Sequence, residues 1–536
     1  MALNIGDVCG LAAQTRDKTA LRLIRADSSV VDVSFGEMDA RASQFANVLR
    51  DMGEGGEDAG GVVAILLPKS EEVFYGFLGI LKAGSRVLSL FVSFGDLGLI
   101  DRLVDCGATC ILTKRTLVQR IQRIRPQLPT LRKVLVVDVD QDMAPDILSL
   151  PARMKTASDR FQSVAVRDDT PSLVHYTSGS TGKPKGVLHR HGAVEHLRAT
   201  AREILQLGPD DLYWCTADHG WITGTSYGII APWLLGVTQI QFSGNFEAAA
   251  WMGILQDHRV NVWYTAPTAL RMMMAATHVD YSQYDVSQLR SIFSVGEPLN
   301  PEVSRWGMEV FGREIHDTWF QTETGGIMIA NRPGLPVRHG SMGRPVAGIT
   351  ATILDDSGKP CPPRAIGKLC LKYPWSSMFM DYLHRPEVYA GKFSNGYYDS
   401  GDLAFADEDG SIWFAARNDD VINTSGHLVS PFEIESALLE MPEIAESGAV
   451  AVPDPIRFEK IIVFVALKQG VQPSEDLALR VRLHVGSRLS SVASPQDVVF
   501  VDSIPKNNSG KILRRVLRAQ YLGQDPGDLS TLQDAS

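Results

Sequence analysis

Cysteine is scarce: the 536 residues hold six, at 9, 106, 110, 215, 361 and 370. Cys106 and Cys110 stand four apart, but no second pair completes a zinc set, so reduced, packed thiols are expected, as in the cytoplasm. The chain also lacks a surplus of positive charge. Its 52 Lys+Arg against 62 Asp+Glu leave a net charge of −10. That argues against nucleic acid, whose phosphates need a basic face. Long apolar runs are missing too. Trp221 to Ile240 is the most apolar long stretch, but glycines, threonines and Pro232 break it, and it makes a poor membrane span. The first residues, Met-Ala-Leu-Asn-Ile-Gly-Asp-Val, have neither a basic region nor a sustained apolar core, so no signal peptide is expected.

What is present describes an ordinary globular protein, with 44% hydrophobic and 21% charged residues. The length exceeds what one core supports, so two or more domains are expected. From residue 62 the pattern is α/β. Val62 to Leu67 is a short apolar run. Glu71 to Ala83 carries Val73, Phe74, Phe77, Leu78 and Leu81 at helical spacing, with Gly84 as a stop. Val87 to Leu90, Thr109 to Thr113 and Lys133 to Val137 read as further strands. Strands alternating with helices predict crossover units and a mostly parallel, covered sheet. Asp146 to Asp168 is more polar and weaker in pattern. Near the C-terminus, Pro431 to Met441 reads as an amphipathic helix and Ile461 to Leu467 as a buried strand.

The stretch most specific to chemistry is Tyr176 to Gly186. After the tyrosine, ten residues hold three glycines (179, 182, 186), four hydroxyls (Thr177, Ser178, Ser180, Thr181) and two lysines (Lys183, Lys185). The glycines let backbone N–H groups approach a ligand closely. Such a loop of N–H and hydroxyl donors with mobile cations suits a polyphosphate. It is not the common P-loop, because Lys183 is followed by Pro184 instead of Ser or Thr.

This stretch resembles the signature loop of the adenylate-forming superfamily, which includes acyl-CoA synthetases, luciferases and adenylation domains of peptide synthetases. Further motifs extend the resemblance from roughly residue 20 to the end. They are Tyr213 to Gly224, Asn261 to Arg271, Ser294 to Asn300, Asp317 to Gly326, Tyr397 to Asp402, Trp413 to His427 and Pro505 to Arg515. Two of these segments, Tyr213 to Gly224 and Asn261 to Arg271, are similar to acetyl-CoA synthetases within the superfamily. The resemblance implies an α/β fold, with a large N-terminal domain of layered sheets and helices (1–419) and a small mobile α+β C-terminal domain (420–536).

It also implies roles. Thr177, Ser178, Gly179, Ser180, Thr181, Gly182, Lys183 and Lys185 would hold the β- and γ-phosphates of ATP. Gly296, Glu297 and Pro298 would lie against adenine. Asp317, Thr318, Trp319, Phe320, Gln321 and Thr322 would edge the adenine and α-phosphate, with Thr322 on a phosphate and Glu323 holding Mg²⁺. An oxygen ligand beside substrate phosphates suits that ion. Asp402 would take the ribose hydroxyls, apt for a carboxylate acceptor, and Arg417 would meet ribose and phosphate. Trp221, Ile222, Thr223, Val295 and Phe320 would line the acyl pocket; Thr223, Ser425 and Gly426 would border the coenzyme A channel. Asp419 would be the hinge and Lys511 the catalytic lysine.

The sequence also departs from the family's pattern. Ala416 precedes Arg417 where glycine is usual, Leu428 stands where an arginine commonly reaches the nucleotide phosphate, and Ser430 replaces a usual glycine. An unreplaced charge-assisted phosphate contact costs roughly 1.5–3 kcal/mol. Acetyl-specific relatives place tryptophan at the position of Phe320, so a short-chain acid is expected: acetate, propionate or a small branched acid. The implied reaction joins the acid to AMP, releases pyrophosphate, then passes the acyl group to coenzyme A. Two alternatives are a carrier-protein phosphopantetheine arm as acceptor and a weakly active nucleotide-binding homologue.

Overall fold

The computed structural model describes residues 2–11, 16–56, 61–177, 184–417, 420–424, 427–454, 458–507, 510–527, 529 and 532. The apolar run at residue 62 forms the strand Val62–Leu66, buried along its whole length. A strand covered on both faces needs no alternation. It pairs in parallel with Arg86–Ser89 on one side and Ala108–Thr113 on the other. Pro171–Thr177 and Lys133–Val136 extend this sheet in parallel. Lys185–Arg190 then closes antiparallel against Pro171–Thr177, so Thr177 faces Lys185 across the pair. The mostly parallel sheet expected from the sequence is therefore present, with an antiparallel edge. The polar stretch after Asp146 contains a short strand, Ile147–Ser149, and a helical turn, Leu150–Met154.

The helix Glu71–Lys82 is buried from Val73 to Lys82 because a second helix, Phe35–Asp51, crosses it. Each fully buried side chain such as Phe77 or Leu78 contributes about 2 kcal/mol of transfer free energy. Gly79 allows the crossing: a Cβ there would lie 2.7 Å from the Ala42 carbonyl oxygen. Ser34 caps the crossing helix by accepting from the Glu37 N–H. Lys82 is buried but paired with Asp7 at 2.8 Å and Asp39 at 2.9 Å, as a buried cation must be.

Among the described residues a second sheet has nine strands. Its centre is parallel: Thr238–Phe242, Leu212–Cys215, Val262–Thr265, Ser291–Val295 and Ile315–Trp319, in that spatial order. The aromatic segment beginning at Tyr213 thus enters from the sheet interior. Thr19–Ile24 and Val30–Ser34, which the α/β reading from residue 62 left out, form the far edge. A third sheet includes Gly367–Lys372, Tyr397–Ala406 and Ile412–Arg417.

A fourth sheet belongs to the last part of the chain. Phe458–Leu467 is its centre, antiparallel to Ile444–Asp454 and parallel to Asp497–Val501. The helices Pro431–Leu439, Glu475–Arg488 and Arg514–Leu522 accompany it. Its apolar residues form clusters of their own. It touches the larger part through polar contacts, among them Asn300 Nδ2 donating to Ser436 Oγ at 2.8 Å, and through the edge-on rings of Phe414 and Phe432, 6.2 Å apart. Among the described residues, no helix is long and apolar enough to cross a membrane.

Candidate active site

The nine-stranded sheet dictates where the site forms. Parallel strands end on one side, and the crevice beyond their carboxyl ends is where ligands bind in open α/β sheets. Val262–Thr265, Ser291–Val295 and Ile315–Trp319 lie in register, with Thr265 beside Ser294 and Val295 beside Thr318. Their ends deliver Thr268, Gly296 to Pro298, and Phe320 to Thr322 to one rim. Gly296 adopts φ +95°, which turns the chain sharply out of its strand.

Behind the rim, Ser294 Oγ donates to Asp317 Oδ1 at 2.6 Å. Burial drives the Asp317 carboxyl up to about 7, against the pull of that hydrogen bond. Thr318 Oγ1 lies between the Ser294 carbonyl, 2.8 Å, and Tyr264 OH, 2.7 Å. These two residues brace the rim instead of facing open space.

Asp402 sits on a neighbouring strand, opposite Arg417. Its Oδ2 accepts from Trp319 Nε1 at 3.0 Å and Gln321 Nε2 at 3.1 Å. Tyr398 OH fixes the same glutamine by donating to Oε1 at 3.0 Å. Arg417 Nε approaches Asp402 Oδ1 at 3.3 Å without aligned hydrogen-bond geometry. A buried oxygen is thus left with spare acceptor capacity, which fits a sugar hydroxyl. Burial raises the Asp402 pKa, opposed first by Arg417 and then by Lys511.

Glu323 is brought to the antiparallel edge of the first sheet. Tyr382 OH donates to Glu323 Oε1 at 2.7 Å, and Lys185 Nζ lies 5.1 Å from the centre of the Tyr382 ring. Burial lowers the Lys185 pKa, and Glu323 is the main charge opposing this. The lysine that leaves the glycine-hydroxyl loop and the carboxylate assigned to Mg²⁺ therefore share one corner. Ser178, Gly179, Ser180, Thr181, Gly182 and Lys183 lie outside the described residues, as do Asp419, Ser425 and Gly426. The ends of the loop, Thr177 and Lys185, stand opposite each other. Among the described residues, no group of three or more His, Cys, Asp or Glu could cage a metal. A single carboxylate fits an ion that takes its other oxygens from phosphate and water.

The small C-terminal unit supplies Lys511. Its turn is closed by Asn507, whose Oδ1 accepts from the Lys511 N–H at 2.9 Å. The side chain retains solvent-accessible surface in the open cleft, yet protein surrounds it. This loss of water is the main cause of its lowered pKa; Arg417 adds to it, and Asp402, Glu297 and Glu323 oppose it. Among the described residues, Lys185, Arg417 and Lys511, with Lys392 acting on both Lys185 and Asp402, gather about Glu323 and Asp402. Glu297 is taken up by Arg271. Such a gathering of cations draws a polyanion.

Of the acyl-pocket candidates, Ile222, Val295 and Phe320 lie in one apolar cluster. Trp221 packs on a neighbouring one, its ring 5.0 Å from Phe91. Thr223 sits in the short helix Ile222–Thr225 that follows Trp221. The sequence reading missed Tyr227, whose ring meets Phe320 edge-on at 5.5 Å. It also missed Tyr382 and Lys392, which carry no motif. Thr268 and Arg271 lay inside a segment that resembled acetyl-CoA synthetases, so a signal existed without an assigned role.

Residues 11–383 match the AMP-binding enzyme family and residues 433–511 match the AMP-binding enzyme C-terminal domain. An acetyl-coenzyme A synthetase of Bacillus subtilis (strain 168) is 44% identical over 502 residues, covering 94% of this chain and 87% of its own. One of Salmonella typhi is 36% identical over 532 residues, covering 94% and 81%. Among solved structures, an anthranilate CoA ligase in complex with anthranoyl-AMP has a TM-score of 0.88 at 28% identity, over 97% of both chains. An acyl-CoA synthetase of Brucella canis has a TM-score of 0.75 at 33% identity, over 98% of this chain and 95% of its own. With motif, fold and cleft in agreement, this chain belongs to the family of AMP-binding, adenylate-forming enzymes.

Proposed function

We propose that the protein activates a short-chain carboxylic acid with ATP and passes the acyl group to coenzyme A. The observation that carries this reading is the seating of the Lys511 turn on the large unit, where Thr268 Oγ1 meets the Gly510 carbonyl at 3.1 Å and Asp402, Arg417 and Glu323 act on the lysine charge. A carboxylate is a poor acylating agent because oxide is its leaving group. In the first step an acid oxygen bonds to the α-phosphorus and the bond to pyrophosphate breaks. Two anions must meet for that, so cations placed where charge accumulates are the main requirement. Lys511 would touch both the incoming carboxylate and an α-phosphate oxygen. Arg417 and Asp402 would hold the ribose, Gly296 to Pro298 the adenine, and Lys185 with the glycine-hydroxyl loop the outer phosphates. Mg²⁺ on Glu323 would neutralise phosphate charge when bound. No side-chain nucleophile is required.

In the second step the coenzyme A sulfur would attack the acyl carbon; the bond to AMP breaks and the thiol proton is released. We assign residues 1–419 to the adenylating domain, 420–536 to the mobile domain and Asp419 to the hinge between them. Ser425, Gly426 and Thr223 would border the thiol channel. The names of the relatives favour coenzyme A over a carrier-protein arm as acceptor. Six free cysteines fit a reducing compartment, and the cytoplasm is the one we assign. The test is AMP release from ATP and coenzyme A across a panel of C2 to C8 acids. Turnover should be greatest with acetate, propionate or a small branched acid; no acid-dependent AMP with any of them would overturn the reading.

A further inference from the structure

The turn that presents Lys511 is seated on a polar cluster to which the reading above gives no role. Thr268 and Arg271 lie one turn apart on the helix Pro267–Ala275, hence on one face. Arg271 Nη2 donates to Thr268 Oγ1 at 2.7 Å and also forms an ion pair with Glu297. The Thr268 hydroxyl faces two acceptors, Glu297 Oε1 at 2.6 Å and the Gly510 carbonyl oxygen at 3.1 Å. It has a single proton, and Arg271 occupies a lone pair, so the proton is directed toward those two oxygens. One acceptor belongs to the adenine-side loop and the other immediately precedes the lysine.

The seat is tight. Gly510 adopts φ +86°, and a Cβ there would lie 2.7 Å from Thr268 Oγ1 and 2.8 Å from Glu297 Oε1. Arg271 extends the contact: Nη1 donates to Asn300 Oδ1 at 3.0 Å, and Asn300 in turn donates to Ser436 Oγ of the small unit at 2.8 Å. Glu435 and Glu446 of the small unit also act on the Arg271 charge.

Resting on the proposed two-step reaction, we propose that Thr268, held between Arg271 and Glu297, is a positioning residue that sets Lys511 for adenylate formation. The cluster grips the lysine turn in the arrangement described here. A swing of the small unit would part Thr268 from the Gly510 carbonyl. Misplacing a catalytic group by about 1 Å costs up to about a hundredfold in rate, and one neutral hydrogen bond is worth about a factor of ten.

The test compares both half-reactions in the full-length protein for Thr268→Val, which keeps the shape and removes the hydroxyl, and Thr268→Ser, which restores it. Acetate- or propionate-dependent ATP–pyrophosphate exchange reads the first step. Thioester formation from supplied acetyl-adenylate and coenzyme A reads the second. Exchange kcat should fall about tenfold in the valine variant, with thioester formation within about twofold of wild type and the serine variant near wild type. Gly510→Ala approaches the same contact from the other side and should give the same split, which covers a valine variant that fails to fold. Equal exchange in wild type and variants, or an equal fall in both half-reactions, overturns the assignment. A wild-type protein with no acid-dependent exchange instead overturns the two-step reading itself.

Discussion

At the scale of single residues, the strongest expectation concerns Lys511. Replacing it by alanine removes a cation that the small unit brings to the cleft. Loss of a preorganised charge contact typically costs 10² to 10³ in rate. Lys511→Ala should therefore cut ATP–pyrophosphate exchange about 100-fold or more while leaving thioester formation from supplied acyl-adenylate within a few-fold. Normal exchange in the variant would mean another group does this work. Phe320 permits a second expectation. It is nearly buried, clustered with Ile222 and Val295 and edge-on to Tyr227. Removing its ring opens space where a longer acyl chain would extend, and each added methylene in such a pocket is worth about 1–3 kcal/mol. Phe320→Gly should move the best substrate toward longer acids in a chain-length panel, and an unchanged profile would place the pocket wall elsewhere. Roles for residues of this kind could be assigned from the sequence because each sits in a motif. Tyr382 and Lys392 were not, because what gives them meaning is spatial: Tyr382 reaches Glu323 across 59 positions in the chain.

At the scale of elements, much of the first sheet could be read from the sequence. Buried parallel strands appear as continuous apolar runs, and Val62–Leu66, Ala108–Thr113 and Lys133–Val136 come within about a residue or two of the expected ends. Thr19–Ile24 and Val30–Ser34 were missed because they complete a sheet whose other strands begin nearly two hundred residues later. No local pattern announces that partnership. Helix contacts were equally silent, and Gly79 makes the point. Propensity alone favours alanine over glycine inside a helix by about 1 kcal/mol. Here the added methyl would meet the Ala42 carbonyl oxygen at 2.7 Å and the Phe45 ring at 2.8 Å. Overpacking of a close helix crossing costs about 1–3 kcal/mol, so the clash should win. Gly79→Ala is expected to lower the urea midpoint at unchanged slope, whereas a stabilised variant would show that the helices can part without cost.

At the scale of the whole molecule, the two proposed steps would make incompatible demands. In the proposed reaction, adenylation would use Lys511 in the cleft, and the contacts of Gly510 with Thr268 and of Asn300 with Ser436 hold its turn there. Thioester formation would need the same space for the arm of coenzyme A. The polar character of these two contacts suits a reversible dock, since polar interfaces within a chain permit relative motion. Rotation must then be absorbed by a few backbone positions between the units, and Asp419 is the residue assigned to that task. Proline fixes φ near −65° and removes the N–H. Asp419→Pro should hold the small unit in one arrangement, and the present contacts favour the adenylating one. The expected phenotype is the mirror image of Lys511→Ala: acid-dependent pyrophosphate exchange close to wild type, with thioester formation from supplied acyl-adenylate slowed at least about tenfold. If both half-reactions proceed at the wild-type rate in that variant, the swing either does not occur or does not pivot there.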